Sequence, residues 1–378
     1  MEKYNLLVFE DSSKSKFGGG QKETLKIIKV LENYFEIYAF DTDLKSVFAE
    51  KLKTLHIGGF NKLYFTGKIG NKPYSSFNTS LLELITTPFL IVYNLLNVLH
   101  FLKIKNINNF LIYAATKKVM ILAILIKRIF PRCKVIYHAH NIITQETLYS
   151  KIFNFFLKKC DLIICVANAV KNSLKIKKDN MIVVPNSIEI SPLKQPKSIN
   201  NIKEIIVASF TSLIKWKGIE YFMESYRYLK NKDIVKYYIY GFGKEMEYLK
   251  SFENENVILK GFCDNVGKIL DSLVHIVVLP SIDSEACPEI VLEALACGIP
   301  VITTDMGGQK ELIYNKNVGF CVPSKNAKAI AAKIDYLIDN PEIYNEYSKN
   351  ALEYAKQFDI DIYKKNIIEI FNKILNEA

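Results

Sequence analysis

Between Asn109 and Ser187, short β-branched and aromatic runs alternate with helical patterns, and this restricts the fold more than any other feature of the chain. The strand-like runs are FLIYAAT (110–116), KVIYHAH (134–140), DLIICVA (161–167) and MIVVPNS (181–187). Helical patterns fill the gaps, through Ile129, from Leu148 to Lys158, and briefly before Met181. Strands separated by helices imply right-handed β-α-β units and therefore a parallel, doubly wound sheet. YNLLVFE (4–10) and FEIYAFD (35–41) extend the pattern toward the start, whereas Lys51 to Ser76 shows no clear period.

At 378 residues the chain exceeds the size at which a single core usually keeps growing, so two domains are expected. A second alternation supplies the other domain: EIIVASF (204–210), YYIYGFG (237–243), VILKGF (257–262), HIVVLPS (275–281), VITT (301–304) and GFCVP (319–323). Helical patterns follow Asn326 and Pro341, and a last one runs from Ile360 to Leu375. SPLKQPKSINN (191–201) has linker composition, which sets the expected domains at 1–190 and 202–359.

A hydrophobic content of 49% with 24% charged residues describes a folded globular protein. The formal charge is +11, from 50 Lys and Arg against 39 Asp and Glu. Such a balance suits nucleic acid, an anionic membrane surface or an anionic substrate. Only Arg128, Arg132 and Arg227 are arginines, which argues against base readout and so against a nucleic-acid partner. The seven cysteines form no C-x-x-C pair and are read as buried free thiols of a reducing cytosol. Met1-Glu2-Lys3-Tyr4 passes straight into a strand pattern, so no secretory signal is expected and the location is cytoplasmic. Leu84 to Leu102 holds nineteen residues without a formal charge. Pro88, Asn94, Asn97 and His100 interrupt it, favouring a buried or membrane-facing helix over a span, with peripheral attachment to the inner face of the membrane.

The chemistry concentrates between Ser281 and Glu311, SIDSEACPEIVLEALACGIPVITTDMGGQKE. Glu285 falls in the loop before a helix that begins at Glu289 or Ile290, and Glu293 sits about one turn into it. The helix start, with Cys287, Pro288, Glu289 and Ile290, offers unpaired N–H groups and the positive end of the dipole, which suit a pyrophosphate. Carboxylates beside a phosphate site are best used on neutral hydroxyls, one near each end of a polyhydroxylated phosphate ester. A nucleotide sugar has that shape. Lys215, Lys217 and Gly218 follow strand 204–210, where lysines suit a pyrophosphate as point charges. Phe17-Gly18-Gly19-Gly20 forms another strand-to-helix loop, permitting close backbone approach to a ligand. His138 and His140 share a strand face at a carboxyl end, with Asn141 beside them; without a nearby acidic or thiol partner they do not make a metal site.

From Pro280 to Glu311, the E-x7-E pair, the small Ala294, Ala296 and Gly298, then Pro300 and Gly307-Gly308, closely resemble the donor-site signature of retaining glycosyltransferases of the GT-B fold, family 4 type, the "glycosyl transferases group 1". The resemblance implies two Rossmann-like domains with parallel sheets facing across a cleft, the last helix, about 360–378, completing the first domain. It places the donor sugar on Glu285, the ribose on Glu293, and His140 with Asn141 near sugar and acceptor. It also implies that Gly19 and Gly20 line the cleft, that Lys217 contacts the diphosphate, and that Gly261 and Phe262 meet the base. Val184-Pro185-Asn186-Ser187 is similar to the family's VxPNG segment, with Ser187 in place of the glycine. The loop Arg of relatives is missing; Ser209, Thr211 and Ser212 occupy its neighbourhood, and Lys215 partly replaces its charge.

The expected activity is therefore metal-independent, retaining transfer of a sugar from a nucleotide-diphosphate sugar to a hydroxyl of a glycan or lipid-linked acceptor, in cell-surface polysaccharide or lipopolysaccharide assembly. No cofactor is expected, the nucleotide sugar being a substrate. Rival readings are a membrane-associated nucleotide-sugar-binding protein without transfer, a nucleotide-sugar epimerase, and a hydrolase using two carboxylates.

Overall fold

The computed structural model describes residues 3–12, 18–64, 81–143, 148–176, 179–191, 194–283 and 285–376. Part of the loop 11–16 and part of the unpatterned segment 51–76 lie outside the described residues. Two compact units are present: Met1–Val184 with Lys364–Ala378, and Pro185–Tyr363. The division falls just ahead of the polar stretch 191–201.

Unit 1 holds β1 (Tyr4–Phe9), α1 (Gly19–Leu31), β2 (Phe35–Asp41), α2 (Val47–Leu52), β3 (Gly59–Lys62), α3 (Leu81–Ile104), β4 (Phe110–Ala114), α4 (Lys117–Ile129), β5 (Lys134–Ala139), α5 (Leu148–Leu157), β6 (Leu162–Cys165), α6 (Asn168–Ser173) and β7 (Met181–Val183). Its seven strands lie in the order β3-β2-β1-β4-β5-β6-β7. All pairings are parallel, as in β1–β2, where Leu6 faces Ile37, and β1–β4, where Val8 faces Tyr113. The central strands are buried along almost their whole length, β4 without exception, which is why they read as near-continuous apolar runs. Strand β3 and helix α2 extend into the unpatterned segment; β3 is short and half-exposed, so it has little apolar signal.

Unit 2 holds β8 (Ile205–Phe210), α7 (Ile219–Ser225), β9 (Val235–Tyr240), α8 (Met246–Leu249), β10 (Val257–Gly261), α9 (Val266–Ser272), β11 (Ile276–Leu279), α10 (Glu289–Ala296), β12 (Val301–Thr304), α11 (Gly307–Ile313), β13 (Gly319–Val322), α12 (Ala327–Asp339) and α13 (Pro341–Ala355). The strand order is β10-β9-β8-β11-β12-β13, again all parallel. Helix α14 (Ile360–Asn376) starts in this unit, and its greater part belongs to unit 1, where Phe371 meets Phe35 of β2 edge-on at 5.9 Å. Both units are thus Rossmann-like, as expected.

The two sheets reverse their winding between β1 and β4 and between β8 and β11. At such a point the connections leave in opposite directions and open a crevice outside the carboxyl ends, where open α/β sheets bind ligands.

Helix α3 has one buried face and one exposed face. Val98, Leu102 and Asn94 are buried, and Phe101 packs edge-on against Tyr38 and Phe40 of β2. Its opposite face is exposed, with Phe89 74% and Leu96 60% accessible. The segment Thr87–Ile104 is long and apolar enough to cross a membrane, but only 17% of it is buried within the protein. Its sequence pattern records one face on the sheet and one bare apolar face, which a count of apolar residues cannot separate.

Candidate functional site

A dense set of polar contacts in unit 2 lies at the β8/β11 switch point. The loop after β8 turns through Thr211 to Ile214 and closes in a 3₁₀ turn, Lys215–Lys217, before α7. Gly218 then adopts φ +63°, and a Cβ there would stand 2.3 Å from the carbonyl oxygen of Pro280. Only glycine permits both that backbone and that approach, so the chain can pass close under the loop that follows β11. In return Ile282 N–H donates to the Trp216 carbonyl at 2.9 Å. The neighbouring Gly241, at φ +148°, lies against the Thr211 carbonyl in the same way and holds the other side of the β8 loop.

The proximity brings together two residues 68 positions apart. Lys217 Nζ forms an ion pair with Glu285 Oε1, and Ser281 Oγ donates to the same oxygen at 2.9 Å. Both charged side chains are largely buried, 15% and 11% accessible, and Lys217 also sits 4.1 Å from the Trp216 ring centre. A buried carboxylate is tolerable only with partners of this kind.

Further bonds fix the Glu285 loop from behind. Gly308 N–H donates to the Glu285 carbonyl at 2.7 Å, and Asn186 Nδ2 to the Cys287 carbonyl at 2.9 Å. Thr304 Oγ1 donates to the Ser281 carbonyl and receives a bond from Gln309 Nε2. Thr304, Ser281 and Gln309 are all fully buried. Sequence reasoning gives Asn186, Ser281, Thr304 and Gln309 no role of their own. The signal for Thr304 and Gln309 is a polar residue at the end of a β-branched strand and another inside a buried helix face, and each has a partner only in the folded chain.

Helix α10 begins at Glu289 behind Pro288, which caps it with extended backbone. Cys287 is buried; Pro288, Glu289, Ile290 and Glu293 are half-buried around that start. The helix end and its positive dipole therefore adjoin the Glu285 loop, as expected. Lys215 and Ser212 are exposed on the β8 loop, and the Lys215 charge acts on Glu220. At the far edge of the sheet, Gly261 ends β10 with open space beside it, and Phe262 is 70% accessible.

In unit 1, a second set of predicted residues gathers at the sheet's carboxyl edge. His140 follows β5 and Gly20 lies in the first turn of α1; a Cβ on Gly20 would meet the imidazole at 3.8 Å. Gly19 and Asn141 are exposed beside them. The rings of His138 and His140 are 4.0 Å apart, and Tyr113 Oη bonds His138 Nδ1 at 2.7 Å. Burial pushes the His140 pKa down to about 4, so the ring is neutral at pH 7. His140 Nε2 is buried with no hydrogen-bond partner among the described residues. No group of three His, Cys, Asp or Glu able to hold a metal ion occurs among the described residues.

Behind His140 lies a buried acid that the sequence does not mark. Thr24 Oγ1 donates to Glu10 Oε2 at 2.7 Å, and also to the Gly20 carbonyl at 3.1 Å. Burial raises the Glu10 pKa to about 8, with the hydrogen bonds from Thr24 and Asp11 N–H opposing and the charges of Asp41 and Asp11 adding.

Fold and site define a GT-B-type architecture. Residues 192–354 match the family described as glycosyl transferases group 1, in agreement with the donor-loop resemblance. Over 185 residues the chain is 30% identical to N,N'-diacetylbacillosaminyl-diphospho-undecaprenol alpha-1,3-N-acetylgalactosaminyltransferase of Campylobacter jejuni, covering 48% of each. Over 225 residues it is 28% identical to an uncharacterized glycosyltransferase of Haemophilus influenzae, covering 57% of this chain and 61% of that one. The chain thus spans about half to three fifths of the length of these curated relatives. Among solved structures, Anabaena Alr3699/HepE in complex with UDP superposes with a TM-score of 0.78 at 19% identity, over 98% of this chain and 100% of that one, which shows the fold.

Proposed function

We propose that this protein is a retaining glycosyltransferase that moves a sugar from a nucleoside-diphosphate sugar to a hydroxyl of a lipid-linked or glycan acceptor in cell-surface polysaccharide or lipopolysaccharide assembly. The observation that carries this reading is the Lys217–Glu285 ion pair at the β8/β11 switch point, beside the N-terminus of α10. A cation and a helix N-terminus together suit a diphosphate, and a carboxylate beside them suits the hydroxyls of an attached sugar.

In the reaction the bond from the sugar's anomeric carbon to the diphosphate breaks, and its electron pair leaves on the phosphate oxygen. The acceptor oxygen bonds to that carbon on the same face, and the acceptor's proton and the nucleoside diphosphate are released. Lys217 and the α10 terminus stabilise the charge that grows on the leaving oxygen, so no metal ion is required for that task. Lys217 must then exchange part of its contact with Glu285 for the phosphate, which frees Glu285 to orient the sugar. Glu293 is assigned to the ribose, and Cys287, Pro288, Glu289 and Ile290 to the phosphate-facing helix start. Lys215 and Ser212 supply the remaining polar contacts of the β8 loop, with Gly261 and Phe262 assigned to the base. In unit 1, neutral His140 is assigned to the acceptor hydroxyl, with Asn141, Gly19 and Gly20 beside it. The Campylobacter relative's name places a diphospho-undecaprenol on its acceptor, which supports a lipid-linked acceptor here.

Incubation with UDP-, GDP- and ADP-sugars, with and without prenyl-diphosphate-linked saccharides, tests this reading. Acceptor-dependent release of nucleoside diphosphate and a product whose anomeric configuration matches the donor are expected. Turnover of the donor to an epimer without acceptor, or saturable binding with no turnover across the panel, would contradict it.

A further inference from the structure

The outer face of α3 has no covering element among the described residues. Phe89, Val92, Tyr93, Leu96 and Ile104 are all exposed on it. At 100° per residue they fall in a single stripe about 120° wide, directly opposite the buried Asn94, Val98 and Leu102. Lys103 lies in the same stripe, and Lys105 follows just beyond the helix end, both exposed.

The same layer continues the pattern. Helices α3, α4 and α5 connect strands that advance in one direction across the sheet, so right-handed crossovers put all three on one face, and α4 packs beside both neighbours. Ile129 at the end of α4, and Ile152 and Phe155 on α5, are exposed large hydrophobics. Arg128, Lys151 and Lys158 are exposed next to them, and Lys159 Nζ lies 4.8 Å from the Phe155 ring centre. From Thr87 to Ile143 the chain has no Asp or Glu at all, against eight Lys and Arg. Exposed aromatic and aliphatic tips beside these cations, with Asp161 held in an ion pair by Lys127, complement an anionic lipid surface.

We propose that this face of unit 1 docks in the plane of an anionic bilayer, with the α3 stripe inserted at the headgroup boundary and the neighbouring lysines and arginines on the lipid phosphates. A transmembrane seat for α3 conflicts with its other face. Asn94 bonds both the N–H and the carbonyl of Tyr64 at 2.7 and 2.8 Å, and Phe101 is packed on β2, so lipid cannot surround the helix without dismantling the sheet edge. The inference goes beyond the proposed transfer reaction and does not depend on it.

The test is cosedimentation of the full chain with phosphatidylcholine vesicles with and without phosphatidylglycerol, across a salt series. The wild-type chain should sediment with the anionic vesicles only, less as salt rises. Phe89→Glu with Leu96→Glu should reduce partitioning about tenfold or more, since each replaces an inserted side chain by a repelled one. Lys103→Glu with Lys105→Glu should weaken it and flatten the salt dependence. Tyr248→Glu, which alters an exposed aromatic of unit 2, should leave it unchanged. Thermal unfolding shows that each variant folds, and the UDP-induced thermal shift reads the nucleotide site separately. No sedimentation with anionic vesicles, or equal sedimentation of the α3 variants, would overturn the proposal. So would a dimer that forms through this stripe without lipid, or a chain released from membranes only by detergent.

Discussion

Lys217 Nζ is ion-paired to Glu285 Oε1 across the point where the sheet of unit 2 reverses its winding, and Ser281 Oγ shares the same carboxylate oxygen. The pair is largely buried, so removing one member leaves the other poorly solvated. Glu285→Gln keeps size and hydrogen bonding but removes the charge. It should lower kcat roughly a hundredfold and cost about 1–3 kcal/mol of stability, because the buried Lys217 loses its counter-charge. Lys217→Ala should lower kcat at least as far and also destabilise unit 2 by about 1–3 kcal/mol, because Glu285 keeps only Ser281. Steady-state kinetics and urea unfolding of both variants separate the two effects.

Gly218 holds the Lys217 turn under the Glu285 loop. Gly218→Ala forces a Cβ to 2.3 Å from the Pro280 carbonyl at φ +63°. The backbone must shift, at a cost of roughly 2–4 kcal/mol, and the Lys217–Glu285 contact should be lost with it. A large fall in Tm together with loss of turnover is expected; a variant with unchanged Tm would show that the turn tolerates a side chain.

Much of this arrangement is readable in the sequence, and the unread parts share a cause. The alternation of strands and helices follows from which residues are buried on both faces of a parallel sheet, so local pattern reports it directly. Glu285, Glu293 and the α10 start lie within one short stretch, and their chemistry is local. The ion pair of Lys217 to Glu285, and the bonds of Thr304, Gln309 and Asn186, depend on the folded loops and have no local signature. Glu10 reads as the polar end of an apolar run; its burial depends on α1 folding over it. The exposed face of α3 is hidden for the opposite reason, because apolar content is the same whichever face is covered.

Thr304 and Gln309 touch no expected ligand atom and act through the backbone of the Glu285 loop. Thr304→Val removes the donor to the Ser281 carbonyl and leaves Gln309 without its acceptor. A loss of about 1–3 kcal/mol in stability is expected from the two unmet groups. Activity should fall through kcat more than KM, since the loop is displaced and not deleted. Gln309→Leu should be milder, because the Thr304 bond to Ser281 survives. Equal kinetics for Thr304→Val and wild type would show that the loop holds its place by other contacts.

The pH dependence of stability follows from Glu10 and the histidines of unit 1. Glu10, held near a pKa of about 8 in the fold against an ordinary value of 4.5, binds its proton more tightly when folded. Its contribution is complete below about pH 4.5 and is lost as pH rises toward about 8, by at most about 1.4 kcal/mol per pH unit. His140, lowered to about 4 from 6.5, acts in the opposite sense: its contribution is present above 6.5 and is lost as pH falls toward about 4. Urea unfolding over a range of about pH 5 to 8 should therefore show a downward slope on the alkaline side that Glu10→Gln flattens. An unchanged alkaline slope in Glu10→Gln would place its cause elsewhere.

Calorimetric titration of UDP, and of other nucleoside diphosphates if UDP gives no heat, into wild type, Lys217→Ala and Glu285→Gln tests the central claim most directly. The diphosphate should bind wild type, lose about tenfold or more in affinity in Lys217→Ala, and bind Glu285→Gln at least as tightly as wild type, because the carboxylate then no longer competes for Lys217. Binding that is indifferent to Lys217, or absent for every nucleoside diphosphate, would contradict the placement of an activated sugar at the β8/β11 switch point.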